Sequence, residues 1–151
     1  MSSIIIETPY NKISIPLYDK ITVITGDSAT GKTKMINLLD SIKKTYKNDT
    51  SIKANINLDS VVIVTDKYTL NLMEKTNETN KIVFIDRGNV VLDRDSIEFI
   101  HESNNIFIIM GHRNISGITS QDAILGLKHD GITYSCYQIY EYGIMNPKDI
   151  V

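Results

Sequence analysis

The chain has 151 residues, 42% of them hydrophobic and 23% charged, which suits one packed domain and excludes a disordered tail. A net charge of −2 excludes a general electrostatic pull toward nucleic acid or an anionic membrane. The single cysteine, Cys136, excludes an intrachain disulfide. No apolar run approaches the ~20 residues of a membrane span, and Met1-Ser2-Ser3-Ile4 lacks the basic start of a signal peptide, so a cytoplasmic protein is expected.

The chain opens with two short strand patterns, Ile4-Ile5-Ile6-Glu7 and Lys12-Ile13-Ser14-Ile15, joined by the turn residues Thr8-Pro9-Tyr10-Asn11. Together they read as an antiparallel hairpin that Pro16 ends. Ile21-Thr22-Val23-Ile24-Thr25 is a β-branched run and reads as a buried strand. Directly after it stands Gly26-Asp27-Ser28-Ala29-Thr30-Gly31-Lys32-Thr33, a G-x-x-x-x-G-K-T phosphate-binding loop, and Lys34-Met35-Ile36-Asn37-Leu38-Leu39 then opens a helix. Gly26 and Gly31 carry no Cβ, so such a loop can wind closely around phosphates with its N–H groups inward. The helix N-terminus adds positive potential there. Lys32 is expected to reach the β- and γ-phosphates and Thr33 to ligate Mg²⁺, with Asp27, Ser28, Ala29, Thr30 and Lys34 completing the nucleotide cradle.

Met35, Leu39, Ile42 and Tyr46 form one apolar stripe, so this helix is expected to run to about Tyr46. Lys43, Lys44 and Lys47 gather near its end as a solvated helix terminus or, less simply, a basic patch. Ile52 to Leu58 reads as either a short strand or a loop. Val61-Val62-Ile63-Val64 is a buried strand, and Thr65 or Asp66 can cap a short helix with Tyr68, Leu72 and Met73 on its apolar side. Glu74 to Asn80 reads as a loop. Lys81-Ile82-Val83-Phe84-Ile85-Asp86 is a buried strand ending in a carboxylate. Beside a phosphate loop, that carboxylate is placed to hold Mg²⁺; otherwise it starts a turn before Gly88.

Asp95 and Glu98 have capping-box spacing ahead of Ile97 and Ile100, which predicts a helix. Ile106-Phe107-Ile108-Ile109-Met110 is another buried strand, and Gly111-His112-Arg113-Asn114 follows its C-terminal end, where ligands sit in an open α/β sheet. Thr119 and Asp122 are expected to cap a short helix through Ala123, Ile124, Leu125 and Leu127. Tyr134 to Tyr140 reads as a terminal strand with Cys136 as a small core residue. There is no internal repeat. The expected layout is one domain over 1–151: hairpin 1–20, core 21–140, tail 141–151.

Strands alternating with helices after residue 20 predict a parallel sheet flanked by helices. Over about residues 20–140 the chain resembles the P-loop NTPases, with Gly26 to Thr33 as the Walker A motif and Ile82 to Asp86 as Walker B. That resemblance implies an αβα sandwich, with a mostly parallel sheet and the N-terminal β-hairpin, that binds ATP or GTP with Mg²⁺. The hairpin is similar to the lead-in of ABC-type and related ATPases. Their strand order sets the strand ending at Met110 between the two motif strands, and His112, Arg113 and Asn114 then compete to read the γ-phosphate.

The chain departs from that pattern in two ways. About 50 residues separate the motifs, with no LSGGQ-like signature and no room for a helical subdomain. Arg87 follows Asp86, where related ATPases carry a glutamate base, and arginine cannot act as a base. Weak or partner-dependent hydrolysis of Mg-ATP is the expected activity, with catalytic roles for Lys32, His112 and Arg113. A protein partner or a second copy could complete the site. The alternatives are a non-hydrolysing nucleotide-dependent module and a small-molecule or nucleotide kinase that uses Arg87, Arg94 and Arg113. The absence of an N-K-x-D-type motif favours adenine over guanine.

Overall fold

In a computed structural model the described residues are 3–26, 31–111, 118–141 and 144–145. Eleven strands form among them: β1 Ser3–Glu7, β2 Lys12–Pro16, β3 Ile21–Thr25, β4 Lys53–Ala54, β5 Val61–Val64, β6 Ile82–Asp86, β7 Ile106–Met110, β8 Ile124–Asp130, β9 Thr133–Gln138, β10 Tyr140–Glu141 and β11 Ile144–Met145. The α-helices are α1 Lys32–Thr45, α2 Lys67–Thr76 and α3 Arg94–Glu102, of 14, 10 and 9 residues.

Nine strands make one sheet in the order β4-β1-β2-β9-β8-β3-β7-β6-β5, and β10 and β11 pair by themselves. This corrects the expected αβα sandwich with a mostly parallel sheet. The sheet is mixed and curls into a half-barrel, with three short helices against it. Its physical cause lies in β8 and β9. The segment Ile124–Leu127, expected as a helix, is a strand, because both of its edges find partners: β3 runs parallel on one side and β9 antiparallel on the other. Thr119 caps no helix and instead donates through Oγ1 to the Ile21 carbonyl at 2.7 Å. A two-residue turn, Gly131-Ile132, reverses the chain between Asp130 and Thr133, with Gly131 at φ 59, a value glycine adopts without strain. β9 then accepts β2 in parallel register, Lys12↔Thr133 to Ser14↔Ser135, so the N-terminal hairpin becomes part of the sheet.

The β1–β2 hairpin forms as expected, in register from Ser3↔Pro16 to Glu7↔Lys12. On the other side of β8, the strands β3, β7, β6 and β5 run parallel, and β7 lies between β3 and β6. Alternation along these strands feeds two cores. Ile24, Phe84, Ile108 and Met110 pack with Met35, Ile36, Leu39 and Ile42 of α1. Val23, Val83, Ile85, Phe107 and Ile109 pack with Leu70 and Met73 of α2 and Ile100 of α3. The hairpin contributes Ile4, Ile6, Ile13 and Ile15 to the α1 side.

The region 52–58 resolves into the two-residue β4 and a 3₁₀ turn at Leu58–Ser60. In α2 the buried residues are Leu70 and Met73, whereas Tyr68 and Leu72 are exposed. Asp66 and Asp93 cap α2 and α3, accepting from the N–H of Thr69 at 2.7 Å and of Ser96 at 2.9 Å. Asp93 is thus the N-cap of α3, not Asp95.

Hydrogen bonding from the Ser96 N–H, and then from Lys67, holds the Asp93 carboxyl below the usual carboxylate range. A depressed native pKa stabilises the fold above the unfolded value of about 4 and loses that contribution as pH falls through the native value. Asp93→Asn keeps a capping oxygen but cannot titrate. The expected result is that the wild-type melting temperature exceeds that of Asp93→Asn at neutral pH and converges on it below about pH 4. Thermal melts from pH 7 to pH 3 check this.

Candidate functional site

The phosphate-loop motif spans the end of β3 and the start of α1. Gly31 is the residue before the helix, at φ 93, ψ 15, a left-handed conformation that disfavours any side chain. Its carbonyl accepts the first helical bond from the Met35 N–H at 2.9 Å. Unlike α2 and α3, α1 begins without a side-chain cap, and like α2 it has no acidic residue in its first turn. Such an end favours an anion rather than a cation.

Lys32 is 7% exposed, and its Nζ donates to the Gly26 carbonyl at 2.7 Å, which clasps one end of the loop to the other. A buried ammonium needs such a partner, because desolvation penalises an unpaired charge. Thr33 and Lys34 are exposed on the first turn of α1. A cleft of about 100 Å³ opens here, lined by Lys32, Thr33, Ile36, Asp86, Gly88, Met110 and Gly111. It lies at the C-terminal ends of β6 and β7, so three sequence-predicted residues, Lys32, Thr33 and Asp86, share one cavity. Lys34 is not among its lining residues. Asp27, Ser28, Ala29, Thr30, His112 and Arg113 lie outside the described residues.

Asp86 has two tasks. Its Oδ1 accepts from the Gly88 N–H at 3.0 Å, its Oδ2 accepts from Asn89 Nδ2 at 2.8 Å, and its carbonyl accepts from the N–H groups of Asn89 and Val90. The carboxylate therefore does start the turn before Gly88. It is also half-buried on the wall of the cleft. Two carboxylate oxygens offer about four acceptor sites, so these two bonds leave capacity for a cation or a water. Among the described residues no group of three or more His, Cys, Asp or Glu could hold a metal by itself. The Thr33 hydroxyl and the Asp86 carboxylate are hard oxygen donors, and they fit Mg²⁺ as an ion that takes its remaining ligands from phosphates and water.

Arg87 continues the ladder, its N–H donating to the Met110 carbonyl at 2.8 Å, and its side chain lies across Gly111. A Cβ on Gly111 would stand 3.3 Å from the Arg87 Cβ.

Two residues beside the loop escape sequence analysis. His129 and Tyr134 are cross-strand partners on β8 and β9, and their rings stack at 4.0 Å and 7°. A Cβ placed on Gly31 would meet the His129 Cβ at 3.4 Å and Tyr134 Cε1 at 3.6 Å. The signal that could have located them is Asp130-Gly131, a hairpin turn dipeptide, which reading the preceding residues as a helix obscured.

The lysines near the end of α1 are engaged within the chain. Lys43 donates to the carbonyls of Leu58 and Asp59, Lys44 pairs with Asp40 at 2.8 Å, and Lys47 pairs with Asp59 at 3.4 Å. Cys136 packs against the α1-side core, and burial pushes its thiol up to about 12, so it stays protonated at neutral pH. Among the described residues no helix is long and apolar enough to cross a membrane. No family model matches the chain, and no curated protein matches it.

Proposed function

We propose that the chain is a P-loop protein that binds a nucleoside triphosphate, ATP in first place, together with Mg²⁺, and hydrolyses it slowly or with the help of a partner. The observation that carries this reading is the meeting of Lys32, Thr33 and Asp86 on one cleft at the strand ends. The Lys32 ammonium would exchange its bond to the Gly26 carbonyl for charge-assisted bonds to the β- and γ-phosphates. Thr33 and Asp86 would hold Mg²⁺, which supplies neutralisation of phosphate charge. The described residues of the cleft include no carboxylate besides Asp86 to serve as a base, which favours slow turnover. A water could be oriented by a polar group from His112 or Arg113, or from a partner or second copy.

The bonding of Asp86 favours a second reading, a nucleotide-dependent switch without catalysis. Its two oxygens hold the backbone and side chain of the loop that leads to α3. Any ligand that draws on the carboxylate also draws on that loop.

The test is thermal. ATP is expected to raise the melting temperature, and Mg²⁺ to raise it further. Asp86→Asn keeps an acceptor for Gly88 and should lose the Mg²⁺-dependent part alone. At a ligand concentration of 100 Kd the full effect is about 2.7 kcal/mol. A melting temperature unmoved by millimolar ATP sinks the reading. Phosphate release from Mg-ATP over several hours then separates the ATPase from the switch.

A further inference from the structure

The two flanks of the C-terminal end of β3 differ in chemistry. Toward β7 and β6 lies the polar cleft with Lys32, Thr33 and Asp86. Toward β8, on the other side of β3, lies the stacked pair His129 and Tyr134. β8 pairs with β3 as far as Thr25↔Gly126 and then runs on to Asp130, so the β8–β9 ladder continues beyond the C-terminal end of β3, beside Gly31. Tyr134 is 5% exposed and forms the floor; His129 is exposed above it. The close approach of both side chains to Gly31 puts an aromatic platform directly against the start of α1.

Lys32 lines the cleft and Gly31, the residue before it, abuts the stacked pair, so a triphosphate held on Lys32 that extends past Gly31 away from the cleft has its opposite end at His129. From this, and resting on the nucleotide-binding reading above, we infer that the base of the nucleotide stacks on the outward face of His129. Tyr134 fixes the imidazole plane by stacking beneath it, so the platform exists before the ligand arrives and little side-chain entropy is lost on binding. Stacking recognises the π-face of a base, not its edge, so the platform adds affinity for nucleotides over bare polyphosphate.

The experiment titrates ATP and inorganic tripolyphosphate, both with Mg²⁺, into the full chain and into His129→Ala and His129→Phe. His129→Ala should weaken ATP about tenfold and leave tripolyphosphate within about twofold, and His129→Phe should restore ATP binding. In the parent protein, ATP should shift the His129 ring-proton resonances upfield, and tripolyphosphate should not. Equal ATP affinity in parent and His129→Ala overturns the inference, as does an equal loss for both ligands, which would mark a merely structural role for the hairpin. If tripolyphosphate and ATP both fail to bind the parent, the nucleotide-binding reading itself falls.

Discussion

Replacing Lys32 by alanine is expected to lower ATP affinity about a hundredfold, as measured by titration calorimetry. Hydrogen bonds to charged groups contribute about 1.5–3 kcal/mol each, and a factor of ten in Kd is 1.4 kcal/mol. Lys32 is buried to 7% exposure and already aimed along the loop by its bond to Gly26. Its charge is therefore delivered without a search through rotamers. Lys32→Arg is not a rescue, since the planar guanidinium cannot occupy the place of a compact ammonium. An alanine variant that bound ATP as tightly as the parent would remove Lys32 from the phosphate site and, with it, the main support for a nucleotide-binding function.

The largest effect on stability is expected at Phe107. The residue is 0% exposed on β7, between β3 and β6, and meets Phe99 edge-on at 6.0 Å and 82°. Phe107→Ala should cost about 3–5 kcal/mol, from lost burial and from the cavity left behind. For a chain of this size that corresponds to a melting temperature lower by about 10 °C. Phe107 faces the α2–α3 core, whereas Met110 lines the cleft. Folded Phe107→Ala protein should therefore bind ATP as the parent does. Calorimetric melting reads the first effect and titration the second. A variant that melts within a degree or two of the parent would show that the side chains around Phe107 close the gap.

The parts of the fold that were legible in the sequence are those where local pattern and tertiary pairing agree. Ile21–Thr25, Val61–Val64, Ile82–Asp86 and Ile106–Met110 are β-branched runs, and each forms a strand with parallel neighbours. The stripe Met35, Leu39 and Ile42 announces α1 and the face it buries. Lys32, Thr33 and Asp86 could be linked because the motif specifies both residue type and position along strand and helix.

What could not be read was partner choice. Ile124, Leu125 and Leu127 are buried, and a short apolar run has the same appearance in a core helix and in a central strand. Only the presence of β3 on one side and β9 on the other decides between them. The same step hid the platform, since His129 meets Tyr134 only once the strands pair. In α2, Tyr68 and Leu72 fit the helical period but point outward, and Leu70 takes the buried place. Near the site, Asp86 could be picked out as a carboxylate at a strand end. Its simultaneous bonds to Gly88 and Asn89 depend on the path of the following loop, which no residue pattern prescribes.

The parallel pairing of β2 with β9 joins Lys12–Ser14 to Thr133–Ser135. It therefore connects a segment that precedes β3 to one that follows β8, far apart along the chain. The β1–β2 hairpin can close by itself, but one flank of β2 has no ladder until β9 emerges and turns back along β8. Such distant contacts slow the search, because a long loop must close before any pairing rewards it. On the ribosome β2 holds an open strand edge until β9 has been made. Completion of the sheet waits for β9, and the half-made protein depends on whatever shields that edge in the meantime.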